Sequence, residues 1–127
     1  MSKQTVHTDG APAPVGPYSQ AVAVGELVFT AGQIALVPGT KELAGDDVGA
    51  QTRQALENLK AVLEAAGSGL DKAVKTTVFL ADMDDFAAMN EVYGQYFTES
   101  PPARSAVEVA RLPLGALVEI ECVAEKR

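Results

Sequence analysis

The chain has 127 residues, 47% of them hydrophobic, and carries a formal charge of −7 at neutral pH with a sequence pI near 4.6. That is enough apolar material for one domain with a moderate core, and no stretch approaches the ~20 apolar residues of a membrane span. The ten basic residues are scattered, with no run longer than Lys126–Arg127, which argues against a surface that tracks nucleic-acid phosphates. The N-terminal MSKQTVHTDGAPAPV has neither an apolar signal core nor an Arg-rich amphipathic pattern, so a soluble protein of the cytoplasm is expected. Cys122 is the sole cysteine. No intrachain disulfide can form, which fits a reducing compartment, and its place on an apolar strand face suits a small buried hydrophobe better than a nucleophile.

Residues 1–17 read as an irregular Pro/Gly/Ala-rich arm of a single 1–127 domain, with Pro12, Pro14 and Pro17 blocking helix. His7 in this arm has no Cys or His nearby, and no metal site is visible. Ser19–Val24 and Leu27–Thr30 follow as strands around a Gly25–Glu26 turn, and Val37–Asp47 is a loop. A helix is predicted over Val48–Ala66. Asp46 or Asp47 caps its start, Gly67 ends it, and Ala55, Leu56, Leu59, Val62 and Leu63 form its apolar stripe.

Ala73–Leu80, with its β-branched run, is a strand. A second helix over roughly Asp85–Phe97 follows a cap at Asp82 or Asp84. Its Phe86, Met89, Val92, Tyr93, Tyr96 and Phe97 are expected to face inward as core, and its Asn90 to be a structural hydrogen-bonder. Thr98–Pro102 is too short a loop to form a lid.

The segment PPARSAVEVARLPLGALVEIE, Pro101–Glu121, reads as two strands joined by a turn at Leu112–Ala116. Alternation puts Arg104 on one face with Ala106, Glu108 and Ala110, and puts Glu119 and Glu121 opposite Val118, Ile120 and Cys122. A guanidinium with nearby carboxylates on apolar strands suits a small site for a carboxylate-bearing molecule. An antiparallel pair with one wet face, its charges meeting solvent, is the other reading.

The element order ββ–α–β–α–ββ predicts an α+β domain, a mixed sheet with both helices on one face. The second face would then keep apolar residues such as Ala106 and Ala110 exposed, so self-association is expected.

PPARSAVEVARLPLGALVEIECVA resembles the C-terminal signature of the RidA (YjgF/YER057c) family of imine and enamine deaminases. APAPVGPYSQAV at 11–22, FTAGQIAL at 29–36 and AAMNEVYGQYF at 87–97 agree with it in the same order, so the resemblance spans about Ala11 to Ala124. It implies a chorismate-mutase-like fold and a homotrimer whose sheets form a central barrel, with active sites in clefts between subunits.

The resemblance also implies roles. Arg104 would bind the substrate carboxylate, and Glu119 would hold or activate the hydrolytic water. Tyr18 would line the site, and Thr30, Ala31 and Gly32 would supply backbone contacts. The implied reaction is hydrolysis of 2-imino acids, formed from enamines such as 2-aminoacrylate, to 2-keto acids and ammonia, with no metal or organic cofactor. Many members carry cysteine two residues after the arginine. Here the position is Ala106, which removes a thiol nucleophile, leaves the backbone N–H and is expected to alter substrate preference. A non-catalytic keto-acid binder on the same trimer is one alternative. An RNA-cleaving activity is another, against which the low pI speaks.

Overall fold

The computed structural model describes residues 2–127, which form six strands and two α-helices in one mixed sheet. The elements are β1 (Gln4–Val6), β2 (Ala21–Val24), β3 (Leu27–Thr30), α1 (Val48–Ala65), β4 (Ala73–Leu80), α2 (Phe86–Tyr96), β5 (Ala103–Glu108) and β6 (Val118–Glu125). Across the sheet the order is β1-β2-β3-β6-β4-β5, and every pairing is antiparallel except β4 with β5.

Local chemistry sets the element ends. The Asp47 side chain accepts the Ala50 N–H at 2.8 Å, a cap worth about 1 kcal/mol, and so selects Val48 as the first residue of α1. Gly67, at φ +79°, turns the chain out of the helix, and its N–H returns to the Glu64 carbonyl. The stripe Ala55, Leu56, Leu59, Val62 and Leu63 is fully buried, in one core with Val78 and Leu80 of β4 and Val118 and Ile120 of β6. Before α2 the chain makes a single 3-10 turn, Met83–Asp85, held by Asp82 accepting the Asp84 N–H.

Three expectations are corrected. The N-terminal arm is not wholly irregular: Gln4–Val6 lies upstream of the prolines and pairs antiparallel with β2 as an edge strand. The C-terminal strands are not a hairpin. The turn exists as a one-turn 3-10 helix at Pro113–Gly115, but β4 lies between β5 and β6. The cause is connectivity, because a strand reached through a crossover helix, as β5 is from β4 through α2, can lie parallel to its predecessor. Finally, the residues of the uncovered face differ from those expected. Ala106 sits on the helix-covered side against the core, and Ala110 lies past the end of β5. The open face instead shows Leu27, Phe29 and Val107, exposed to 38%, 43% and 41%.

Candidate active site

Arg104 stands on β5, one of the two edge strands, with Thr76 of β4 as its register neighbour. It points toward α2. Its Nη1 donates to the Asn90 side-chain oxygen at 2.7 Å, and its guanidinium carbon lies 4.7 Å from the Tyr93 ring centroid and 5.4 Å from that of Phe86. Both distances are in the cation–π range. Tyr93 is itself fixed, with its hydroxyl 2.7 Å from the Thr76 hydroxyl and its ring tilted on Phe97 at 4.5 Å. Burial pushes the Tyr93 hydroxyl above the ordinary tyrosine range, so the platform is a neutral phenol.

No carboxylate pairs with Arg104. Among the described residues the ion pairs are His7–Asp9 and Arg127–Asp71, both elsewhere. A half-buried guanidinium held by a neutral amide and two aromatic faces keeps its charge available to an incoming anion.

The β5 backbone adds to this half. The Val109 N–H donates to the Leu80 carbonyl at 2.9 Å, which sets the parity of the strand. By alternation the N–H groups of Arg104 and Ala106 point away from β4, toward the open sheet edge.

Glu119 lies elsewhere. It pairs across from Phe79, whose neighbours Val78 and Leu80 are fully buried under the helices, so Glu119 is on the uncovered face. Arg104 and Glu119 therefore occupy opposite faces, on strands two spacings apart, about 10 Å. The cluster of arginine and nearby carboxylates that the sequence predicts does not form within one copy.

What Glu119 does meet is Gly32. Between Phe29, paired with Val123, and Gln33, bridged to Ile120, the chain carries one residue more than β6 does. The resulting bulge holds Thr30, Ala31 and Gly32. Ala31 N–H is taken by the Gln20 carbonyl, and the Thr30 hydroxyl accepts the Cys122 N–H at 3.0 Å. A methyl group at Gly32 would lie 2.6 Å from a carboxylate oxygen of Glu119, so the glycine makes the space the carboxylate fills. Burial first, and the Glu121 charge second, raise the Glu119 carboxyl above the usual range, which favours its protonated form.

Tyr18 is half exposed, its hydroxyl 3.4 Å from the Val15 N–H, on an arm secured by Gln20. The buried Gln20 amide accepts the Thr8 N–H at 2.7 Å and donates to the carbonyls of Thr8 and Pro12 at 3.0 and 2.9 Å. Cys122 is buried, with its thiol pushed up to about 12, as suits a core residue. Two surface clefts, of about 580 and 520 Å³, contain neither Arg104 nor Glu119.

Sequence reasoning misses the holders of Arg104. Phe86 and Tyr93 pack with the core as expected and Asn90 is a structural hydrogen-bonder, but the pattern does not say that the group these three hold is Arg104. The spacing i, i+4, i+7 places all three on one helix face. An amide set among aromatics on that face is the available signal.

The sequence model of the endoribonuclease L-PSP family matches residues 8–126. A RutC family protein of Pyrococcus horikoshii is 56% identical over 124 residues, covering 98% of both chains. The 2-iminobutanoate/2-iminopropanoate deaminase of Salmonella typhimurium is 52% identical over 130 residues, covering 100% of both. The crystal structure of Escherichia coli TdcF with bound serine superposes with a TM-score of 0.93 at 45% identity, covering 98% of this chain and 99% of that one. With nearly the whole chain matched, and one such relative a named imine deaminase, this chain belongs to the endoribonuclease L-PSP family, the RidA/YjgF group that its motifs resemble.

Proposed function

We propose that the chain hydrolyses small 2-imino acids, and the enamines that tautomerise to them, to 2-keto acids and ammonia, and so removes reactive enamines. The observation that carries this reading is Arg104, a guanidinium with no carboxylate partner, held by Asn90 and two rings beside outward-facing backbone N–H groups. That arrangement suits an anionic carboxylate, with the Ala106 N–H as a further donor and only a methyl side chain at that position. The Salmonella relative bears a deaminase name, and the TdcF structure holds serine, a carboxylate-bearing amino acid.

The chemistry asked of the site is modest. Water adds to C2 of the C=N bond, the carbinolamine loses ammonia, and the C2 oxygen becomes the keto group. Arg104 fixes the carboxylate and so orients C2. Glu119, whose surroundings make its carboxylate a stronger base than a solvated glutamate, takes a proton from water in that ionised form and then, as the acid, returns one to the leaving nitrogen.

Arg104 and Glu119 lie too far apart, and on the wrong faces, to serve one substrate from one copy. The reading therefore includes a homotrimer, with Arg104 of one copy meeting Glu119, Gly32 and Tyr18 of the next. The exposed Leu27, Phe29 and Val107 support such an association by leaving an apolar face to cover.

The test couples an imine generator, a serine/threonine dehydratase or an amino-acid oxidase, to the purified protein and follows keto-acid release with semicarbazide trapping of the imine. Wild type is expected to accelerate release, and Arg104→Ala to do so no more than buffer. No acceleration of any small imino acid by wild type would contradict the reading.

A further inference from the structure

Arg104 carries a long flexible side chain, and nothing anionic anchors it. Its orientation depends on what lies beneath it. The Tyr93 ring is the nearer of the two platforms, 4.7 Å from the guanidinium carbon against 5.4 Å for Phe86. Tyr93 is also the one with an independent anchor. Its hydroxyl meets Thr76 at 2.7 Å, and Thr76 is the register partner of Arg104 on the adjoining strand. The strand pair that carries the arginine thus also fixes the ring beneath it, closing a loop from Thr76 through Tyr93 to Arg104. Asn90, one turn before Tyr93 on α2, takes one Nη1 hydrogen and leaves the remaining donors of the fork free. Both holders are neutral, so the guanidinium is oriented without being neutralised.

We infer that Tyr93 is a positioning residue. Its ring face holds the Arg104 guanidinium plane in the orientation that receives a substrate carboxylate, and so sets the preference of the site for carboxylates over neutral analogues. The inference rests on the carboxylate-binding reading of Arg104 and adds a residue that does not itself touch substrate.

The test measures binding rather than turnover, by NMR titration of the assembled protein with 2-oxobutanoate and with methyl 2-oxobutanoate. Wild type should prefer the free acid. Tyr93→Leu, which removes the ring, should weaken 2-oxobutanoate binding about tenfold while leaving the ester unchanged, so that the acid-over-ester preference collapses. Tyr93→Phe, which keeps the ring and loses only the Thr76 contact, should keep the preference within about threefold of wild type. In turnover the Leu substitution should raise KM more than it lowers kcat.

A merely structural role would weaken both ligands alike in Tyr93→Leu, and that result would overturn the inference. So would a Tyr93→Phe variant that loses as much as Tyr93→Leu. Wild type that binds acid and ester equally, or neither, would overturn the carboxylate reading as well, which separates the two failures. Should the Leu variant not fold, the wild-type guanidinium resonances decide. Ring-shifted, slowly exchanging Arg104 Hη signals are expected, and averaged solvent-like signals would contradict a seated guanidinium.

Discussion

The two halves of the candidate site are built by different means. The Arg104 half is on an edge strand and is held from the side by α2, through one amide and two rings. The Glu119 half is on β6, inside the sheet, and is shaped by a backbone bulge whose glycine yields its volume to the carboxylate. The first half keeps a charge uncompensated, and the second makes a charge costly. The proposed placement of an anion at the first and of proton transfer at the second rests on that difference. A single copy displays the two on opposite faces.

Substitutions at the Glu119 half separate binding from proton transfer. Glu119→Gln keeps the shape and removes the proposed proton shuttle, so kcat for imine hydrolysis should fall about a hundredfold while 2-oxobutanoate binding persists. Loss of binding together with turnover would mean that Glu119 also holds the ligand. Gly32→Ala pushes on the same carboxylate through its volume. The methyl would meet the flexible end of Glu119, so the fold should survive, with kcat reduced about tenfold by displacement of the acid. Wild-type kcat in that variant would show that the carboxylate position does not matter.

The smallest effect is on stability. A carboxyl raised above its ordinary range binds its proton more tightly folded than unfolded. Stability is therefore lost as pH rises from the ordinary glutamate range through the raised value, and the cost persists above it. Glu119→Gln removes that cost. Its Tm should exceed that of wild type at pH 8, and the gap should close in acid. A gap that widens toward acid would reverse the sign and contradict a desolvated carboxylate.

Much of this is readable in the sequence, though unevenly. β4 is legible to the residue because its β-branched run is bounded by a core pattern, and α1 because an Asp cap and a Gly stop bracket an unbroken stripe. Alternation correctly puts Glu119 opposite Val118 and Ile120. It does not say which strands are neighbours, so β5 and β6 read as a hairpin although β4 separates them. Nor does it place Arg104 relative to the core, because Ala106 and Val107 are both apolar and leave the buried face of β5 ambiguous. β1 is three residues long, too short for a periodic signal. Asn90 reaches Arg104 only through the crossover that brings α2 over β5. The chemical roles given to Arg104, Glu119 and Tyr18 come from family resemblance. Periodicity supplies their faces alone.

The central claim is that one working site takes Arg104 from one copy and Glu119 from another, and subunit complementation tests it most directly. Arg104→Ala and Glu119→Gln proteins, each with about a hundredth or less of wild-type activity alone, are unfolded together, refolded as a mixture and assayed for imine hydrolysis. If the halves come from different copies, random mixing should restore roughly one site in four to wild-type composition, and activity should return to about a quarter of the wild-type value. A mixture that demonstrably co-assembles and stays inactive would contradict it, and would require both groups to act from the same copy.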